Sequence, residues 1–275
     1  MSAVDRALLE AALAAQRAQR RRWTGGRVLR WAAAAVLLVL VAVSWRLAGV
    51  DVGRLATGLP KVGHWLAQAW PPATAELPIF IQRMGETVAI AFLGTLLAVL
   101  AAVPAAFLAA RGVSPLGVGR VPLRWVLNAF RGTDSFVFAL ILVAAVGLGP
   151  FAGMLGVALH TWGSAAKLFS EQIETLPLEN AEALEAAGAG RVVAFRYALL
   201  PELAPAWASQ ALYLFEFNVR ASTVLGVVGA GGIGQELKNS MDLLDFARLA
   251  TLLAVILVAV TAIDTVSGWL RRRLA

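Results

Sequence analysis

The sequence predicts an all-α integral membrane protein with about six transmembrane helices, and three observations carry that reading. Hydrophobic residues make up 59% of the 275 and charged residues 15%, with a mean hydropathy of +0.74; soluble domains are far less apolar. Apolar runs long enough to cross a hydrocarbon core of about 30 Å recur along the chain. The basic residues behind the net charge of +7 gather at the two ends and between apolar runs, as the positive-inside rule demands of cytoplasmic segments.

Taken in order, residues 1–30 form a basic arm with Arg6, Arg17, Arg20, Arg21, Arg22, Arg27 and Arg30 and an amphipathic pattern from Asp5 to Gln19. A cleaved signal peptide is not expected, because the basic lead is too long and no small-residue cleavage site closes the apolar run. The first span covers 31–47, where Trp31 and Trp45 suit the two interfaces and Arg30 and Arg46 can snorkel. Residues 48–82 read as a periplasmic loop rich in Gly and Pro, with Leu55 to Trp70 lying along the outer membrane surface. The remaining spans fall within 83–275, at about Thr87 to Ala110, Leu123 to Leu148, Phe151 to Phe169, Phe195 to Phe217 and Leu243 to Trp269. Each must be helical, since lipid offers no partner for an exposed amide. Pro104, Pro201 and Pro205 should kink or delimit helices, and Gly94, Ala98, Ala101 and Ala102 suit close packing.

With both termini cytoplasmic, 17 of the 24 Lys and Arg lie inside. The other seven, Arg46, Arg54, Lys61, Arg83, Arg220, Lys238 and Arg248, face out. This topology explains the positive charge better than nucleic acid does, for no aromatic platform is interleaved with the basic residues.

Several chemistries are excluded. The absence of cysteine removes disulfides, thiol catalysis and cysteine metal sites. His64 and His160 are the only histidines and lie on unrelated segments, so no metal cluster is expected. No Ser, His and acid constellation stands out, and no catalytic residue is assigned. There is no GxxxxGK[ST] loop, so energy must come from a partner that binds ATP. The run Gly229, Ala230, Gly231, Gly232, Ile233, Gly234 matches GxGxxG, yet membrane helices on both sides replace the βαβ unit that a dinucleotide site needs.

One polar segment interrupts the apolar pattern. Glu179, Glu182 and Glu185 follow Pro177 and suit the positive end of a helix dipole, among the helix formers Ala181, Ala183, Ala186 and Ala187. Gly188 and Gly190 then break the helix, and a second short helix from Arg191 to Leu200 should leave at an angle. Within the spans, Glu216, Asn218 and Arg220 are placed at the outer end of the fifth and His160 within the fourth, where ionisable groups mark a path by default. Glu216 and Arg220, four apart, could instead pair on one helix, and His160 could be a core histidine bonded to a carbonyl. Arg131 and Asp134 are expected to pair, and Asp264 to reach the interface or meet the Arg tail. The Gly229 to Gly234 turn is either a nest of amides for an anion or a tight turn at an outer gate.

The segment from Glu182 to Pro201 resembles the EAA loop of ABC importer membrane subunits, with Glu182, Ala183, Gly188, Leu200 and Pro201 at matching positions. Leu184 stands where the second Ala belongs and Ala198 where Ile does. Two longer blocks, Gly147 to Glu171 and Asn218 to Leu237, resemble the phosphonate and phosphite importer permeases, and the similarity extends from about Arg83 to the C-terminus. The resemblance implies a type I ABC importer permease fold over 83–275, with Glu182, Ala183, Glu185, Gly188, Leu200 and Pro201 in a cytoplasmic coupling helix region that docks on an ATPase. It implies a second permease copy, two cytoplasmic ATPase subunits holding ATP and Mg, and a periplasmic or surface-anchored binding protein delivering a phosphonate-like oxyanion across the inner membrane. Candidates for the path or its gate are His160, Glu216, Asn218, Arg220, Gly229, Gly231, Gly232 and Gly234. Phosphate or another oxyanion is the nearest rival cargo. An ion-coupled secondary transporter is the rival of another class, but it should show an internal repeat, and none is visible.

Overall fold

The computed structural model describes residues 29–274, and among them there are helices and no strand. The basic arm expected over 1–30 lies, but for its last two residues, outside the described residues. The chain divides into two units, one ending at His64 and the other running from Trp65. In the first, α1 (Leu29–Leu47) is exposed along its length, with Trp31 and Trp45 near its ends. α2 (Val52–Gln68) starts in this unit and has no buried residue; it falls where a surface-lying segment is expected.

The second unit is a bundle. α3 (Leu77–Ala109), α6 (Pro150–Thr175), α9 (Leu200–Leu225) and α11 (Phe246–Leu274) are its long members. Between them lie α4 (Arg120–Gly132), α5 (Ser135–Val146), α7 (Glu179–Ala186), α8 (Arg191–Ala194) and α10 (Ile233–Asp242). α3 runs through Pro104 and α9 through Pro205. Pro201 falls in the first turn of α9, where its missing N–H costs no helical bond.

Among the described residues four helices are long and apolar enough to cross a membrane: α1, α3, the stretch Arg191–Val228 that contains α8 and α9, and α11; α4 with α5 makes five if counted as one bent span. α6, expected from the sequence as a further span, is not apolar enough to be counted with them. At 26 residues it is about 39 Å long, but its Gly, Ser, Thr and His residues lower its hydropathy.

The expected straight span from Leu123 to Leu148 is corrected. α4 and α5 meet at 90°. Asp134 is the reason: its side chain accepts a hydrogen bond from the Phe136 amide at 2.8 Å and caps α5, so a new helix starts inside the apolar run. Among the described residues Asp134 makes no ion pair with Arg131, contrary to the expected pairing.

α6 is the centre of the bundle, and it packs through glycine. A Cβ at Gly163 would lie 2.6 Å from the Arg131 amide nitrogen of α4, and one at Gly156 would lie 2.8 Å from the Ala139 amide nitrogen of α5. On the facing helix, a Cβ at Gly94 of α3 would lie 2.8 Å from Val157. Backbones approach this closely in lipid because dispersion, not hydrophobicity, holds membrane helices together. Three buried clusters result. The largest gathers the C-terminal half of α3, the end of α6 and residues 194–214 under α7; the other two, around Phe80 and around Val157, fill the opposite half.

Candidate functional site: coupling segment and α9 face

At one end of the bundle the chain turns twice between α6 and α9. α7 buries Ala181 and half-buries Leu184, while Glu179, Glu182, Ala183 and Glu185 stay exposed. Gly188 has φ +92, a left-handed conformation that ends α7 with its amide donating to the Glu185 carbonyl at 2.9 Å. Space around it is open, with nothing within 4 Å of a Cβ. Only backbone conformation, therefore, requires glycine there. Gly190 has an ordinary extended conformation and caps α8.

The expected separate helix from Arg191 to Leu200 is also corrected. α8 passes through a π-helical turn, Phe195–Leu199, straight into α9. Phe195 and Leu199 are buried, and Phe195 lies 4.7 Å from the Phe107 ring. Beneath them Phe169 of α6 stacks on Trp207 of α9 at 4.5 Å and 9°, a geometry that adds about 1 kcal/mol to the burial of the rings. Leu200 packs against this cluster and Pro201 is exposed. The loop before α4 braces the segment: Arg191 donates to the Ser114 carbonyl at 3.0 Å, and Glu174 accepts from the Arg111 amide at 2.8 Å and from Arg124 at 2.6 Å. The acidic face of α7 is thus presented on a rigid base.

Half-way along the bundle, α9 turns a polar face inward. Asn218 is 1% exposed, and its Nδ2 donates to Thr95 Oγ1 at 2.8 Å and to Thr161 Oγ1 at 2.9 Å. Thr95 and Thr161 sit near the middles of α3 and α6, so these groups lie at mid-depth and not at the outer end of the span. The Asn218 Oδ1 and the Oγ of Ser222, one turn on, are buried without a partner. Glu216 and Arg220 do not pair with each other. Glu216 faces Arg271 at 2.8 Å, without the alignment of a hydrogen bond, and Arg220 donates to Asp264. Two antiparallel helices impose that cross pairing, since acid then base on α9 meets acid then base on α11 in reverse order. The first pair is largely enclosed, with side chains 8% and 28% exposed; the second is open, at 38% for Asp264 and 53% for Arg220.

His160 does not join this group. Its Nδ1 donates to the Thr133 carbonyl at 2.8 Å, a carbonyl at the α4–α5 bend, so it secures the bend.

The glycine turn closes the far end. Gly229, Gly231 and Gly232 all have φ between +76 and +81. Residues 230–234 are buried. The Ile233 amide donates to Thr87 Oγ1 at 2.8 Å, and a Cβ at Gly231 would meet the Glu86 carboxylate at 2.9 Å. Gly234 abuts the Thr223 carbonyl. A buried turn whose Ile233 amide is already bonded, with a carboxylate beside it, has the character of a tight packing turn rather than of an anion nest. Around it runs a charge network that the sequence did not disclose. Arg248 meets Glu76 at 2.8 Å and Glu236 at 2.7 Å, and Arg83 meets Glu86 at 2.9 Å. Arg83 and Arg248 had signalled only an outward-facing charge; their partners come from α3 with its N-cap, Glu86 and Glu76, and from the first turn of α10, Glu236.

Among the described residues no group of three His, Asp or Glu could hold a metal ion. The arrangement offers no nucleophile with a base. It offers an exposed acidic helix at one end, a polar seam at mid-depth and a buried glycine turn at the far end.

The chain is similar in sequence to several known proteins. HtxC of Stutzerimonas stutzeri, named for a phosphite transport system permease, is 43% identical over 251 residues, covering 91% of this chain and 89% of that protein. The phosphite transport system permease protein PtxC of the same organism is 38% identical, covering 87% of each. The phosphate-import permease protein PhnE of Mycolicibacterium smegmatis is 36% identical over 90% of this chain and 47% of its own length. In fold, the chain resembles a chain of the MetNI methionine ABC transporter in an inward-facing conformation, with a TM-score of 0.65 at 20% identity over 74% of this chain and 99% of that one. Residues 102–275, from the second half of α3 onward, match the family described as binding-protein-dependent transport system inner membrane component. The chain belongs to the family of binding-protein-dependent transport system inner membrane components.

Proposed function

We propose that this chain is the membrane permease through which an ATP-driven importer moves a phosphite- or phosphonate-like oxyanion. The observation that carries the cargo is the 43% identity, over nine-tenths of the chain, to a permease named for phosphite transport. The cargo is handed over by a substrate-binding protein, and the energy comes from two ATPase subunits, which hold ATP and Mg, docked at α7. A second permease copy completes the path, and both termini face the cytoplasm. The chain itself carries no catalysis.

The geometry supports these roles. α7 shows three exposed carboxylates on a braced segment, a surface that suits a partner's basic groove. α9 leads from that segment to the mid-depth seam without a loop between. There Arg220 is the half-exposed cation, and an oxyanion crossing a low-dielectric region requires such a charge or water. Phosphate is the second reading, favoured by the 36% identity to a phosphate-import permease.

The test is reconstitution of the chain with its ATPase and binding protein in liposomes. Uptake of phosphite or methylphosphonate that depends on ATP, and is not suppressed by equal phosphate, is the expected result. Uptake of phosphate alone would move the assignment to the second reading. The isolated chain should hydrolyse no ATP.

A further inference from the structure

A groove of about 740 Å³ lies between α3, α9 and α11. Its walls are apolar, including Leu96, Val99, Leu212 and Val266, and its polar lining is confined to Thr95, Ser267 and Arg273. Such a surface would strip an oxyanion of water without replacing it, so it is not a waypoint for the proposed cargo. One end is closed by Phe92 and Phe215 in an edge-to-face contact at 6.1 Å. The other opens beside Arg273 and Leu274.

Its length is informative. From Ala262 to Leu274 the α11 wall rises about 18 Å, close to the roughly 15 Å depth of one leaflet of the hydrocarbon core. The open end also bears charge. Of the three arginines in the last turn of α11, Arg271 is engaged by Glu216. Arg272 does not line the groove, and among the described residues Arg273, which lines it, meets no carboxylate. Arg273 lies 4.1 Å over the ring of Trp269, and tryptophan marks the headgroup level. An apolar slot one leaflet deep therefore ends in a cation at the interface that no carboxylate neutralises.

We infer that this groove holds an acyl chain of an anionic phospholipid, whose headgroup phosphate rests on Arg273. Basic pockets between membrane helices recognise anionic headgroups by this combination of charge and depth. A second copy is the other candidate occupant, and charge argues against it. Two copies inserted in the same sense and related by a two-fold axis along the membrane normal would set the same cations at the same depth against each other.

The full chain in nanodiscs of equal phosphatidylglycerol and phosphatidylcholine, released into native mass spectrometry, provides the test. One phosphatidylglycerol per chain should be retained in preference to phosphatidylcholine. The change Arg273→Gln should weaken that retention about fivefold, since a cation near an anionic surface contributes about that factor. Ala211→Trp, which fills the groove and leaves the arginines in place, should remove it while the protein stays folded. Unchanged retention in both variants overturns the proposal. So does efficient disulfide formation between two copies of Ala211→Cys in native membranes, a clean probe because the chain has no cysteine.

Discussion

The α6 seams and the α9–α11 seam are made of opposite materials. α6 meets α4, α5 and α3 where side chains are missing, at Gly163, Gly156 and opposite Gly94, and backbones come within van der Waals contact. α9 meets α11 through Glu216–Arg271 and Arg220–Asp264, with an apolar groove left between the helices. A seam of the first kind has one packed arrangement, because any separation forfeits its dispersion contacts at once. Ion pairs in low dielectric rarely stabilise more than well-packed apolar residues would. Charges on α9 and α11 are therefore not explained by stability, and a seam that can exchange its partners for water or an anion suits a path. The comparison separates a scaffold from a moving part.

The strongest way to break that contrast is to put a side chain into the scaffold. Gly163→Leu has no space, since even a Cβ meets Phe130 and the α4 backbone. Overpacking of this sort costs about 3 kcal/mol, and the yield of folded, detergent-extracted protein should collapse. Retention of normal yield and melting temperature would show that α4 can move away, and the rigid-scaffold reading would fail.

Next in size is Glu216→Ala, which leaves Arg271 without its counter-charge. Removing one partner of a buried pair costs about 3 kcal/mol, and here less, because Arg271 is 28% exposed. Glu216→Gln combined with Arg271→Gln should recover most of the lost stability in a double-mutant cycle while uptake stays low. Recovery of uptake together with stability would reduce the pair to a structural contact.

Arg220→Gln should have the smallest effect on folding. The pair with Asp264 is open enough that its contribution is below about 1 kcal/mol. Uptake should nonetheless fall, and Asp264→Asn, which frees the arginine, should change the apparent affinity for the anion and not assembly. Equal uptake by both variants and the parent would remove Arg220 from the path.

How much of this was legible in the sequence differs between the two seams. The small residues Gly94, Ala98 and Ala102 announced close packing, and the apolar runs announced the helices. The α4–α5 bend was also written there, in an aspartate just ahead of an apolar run, but Asp134 was read as the partner of Arg131. The cross pairing was partly visible: Glu216 and Arg220 are four apart and Asp264 and Arg271 seven apart, spacings that keep each pair on one helix face. What no single helix reveals is the height at which two helices meet. Asn218 seemed to lie at an outer end until Thr95 and Thr161 placed it at mid-depth. The links from Arg83 to Glu236 and from Arg248 to Glu76 were hidden for the same reason, since they join elements far apart in sequence, whereas Arg83 and Glu86 are three apart on one helix. The Gly188 turn, by contrast, is local, and a glycine after an alanine-rich helix predicted its left-handed conformation.

That turn allows the most direct test of the proposed role of the chain as the membrane partner of an ATPase. Gly188→Leu forces a side chain into φ +92 in a place where nothing inside the protein is displaced, so the bundle should still insert and fold. The measurement is ATP hydrolysis by the reconstituted complex, stimulated by the loaded binding protein, beside a pull-down of the ATPase. The account predicts loss of both with Gly188→Leu and a milder loss with Glu182→Ala, whose exposed charge orients more than it binds. Full stimulation and full retention of the ATPase by Gly188→Leu would contradict it.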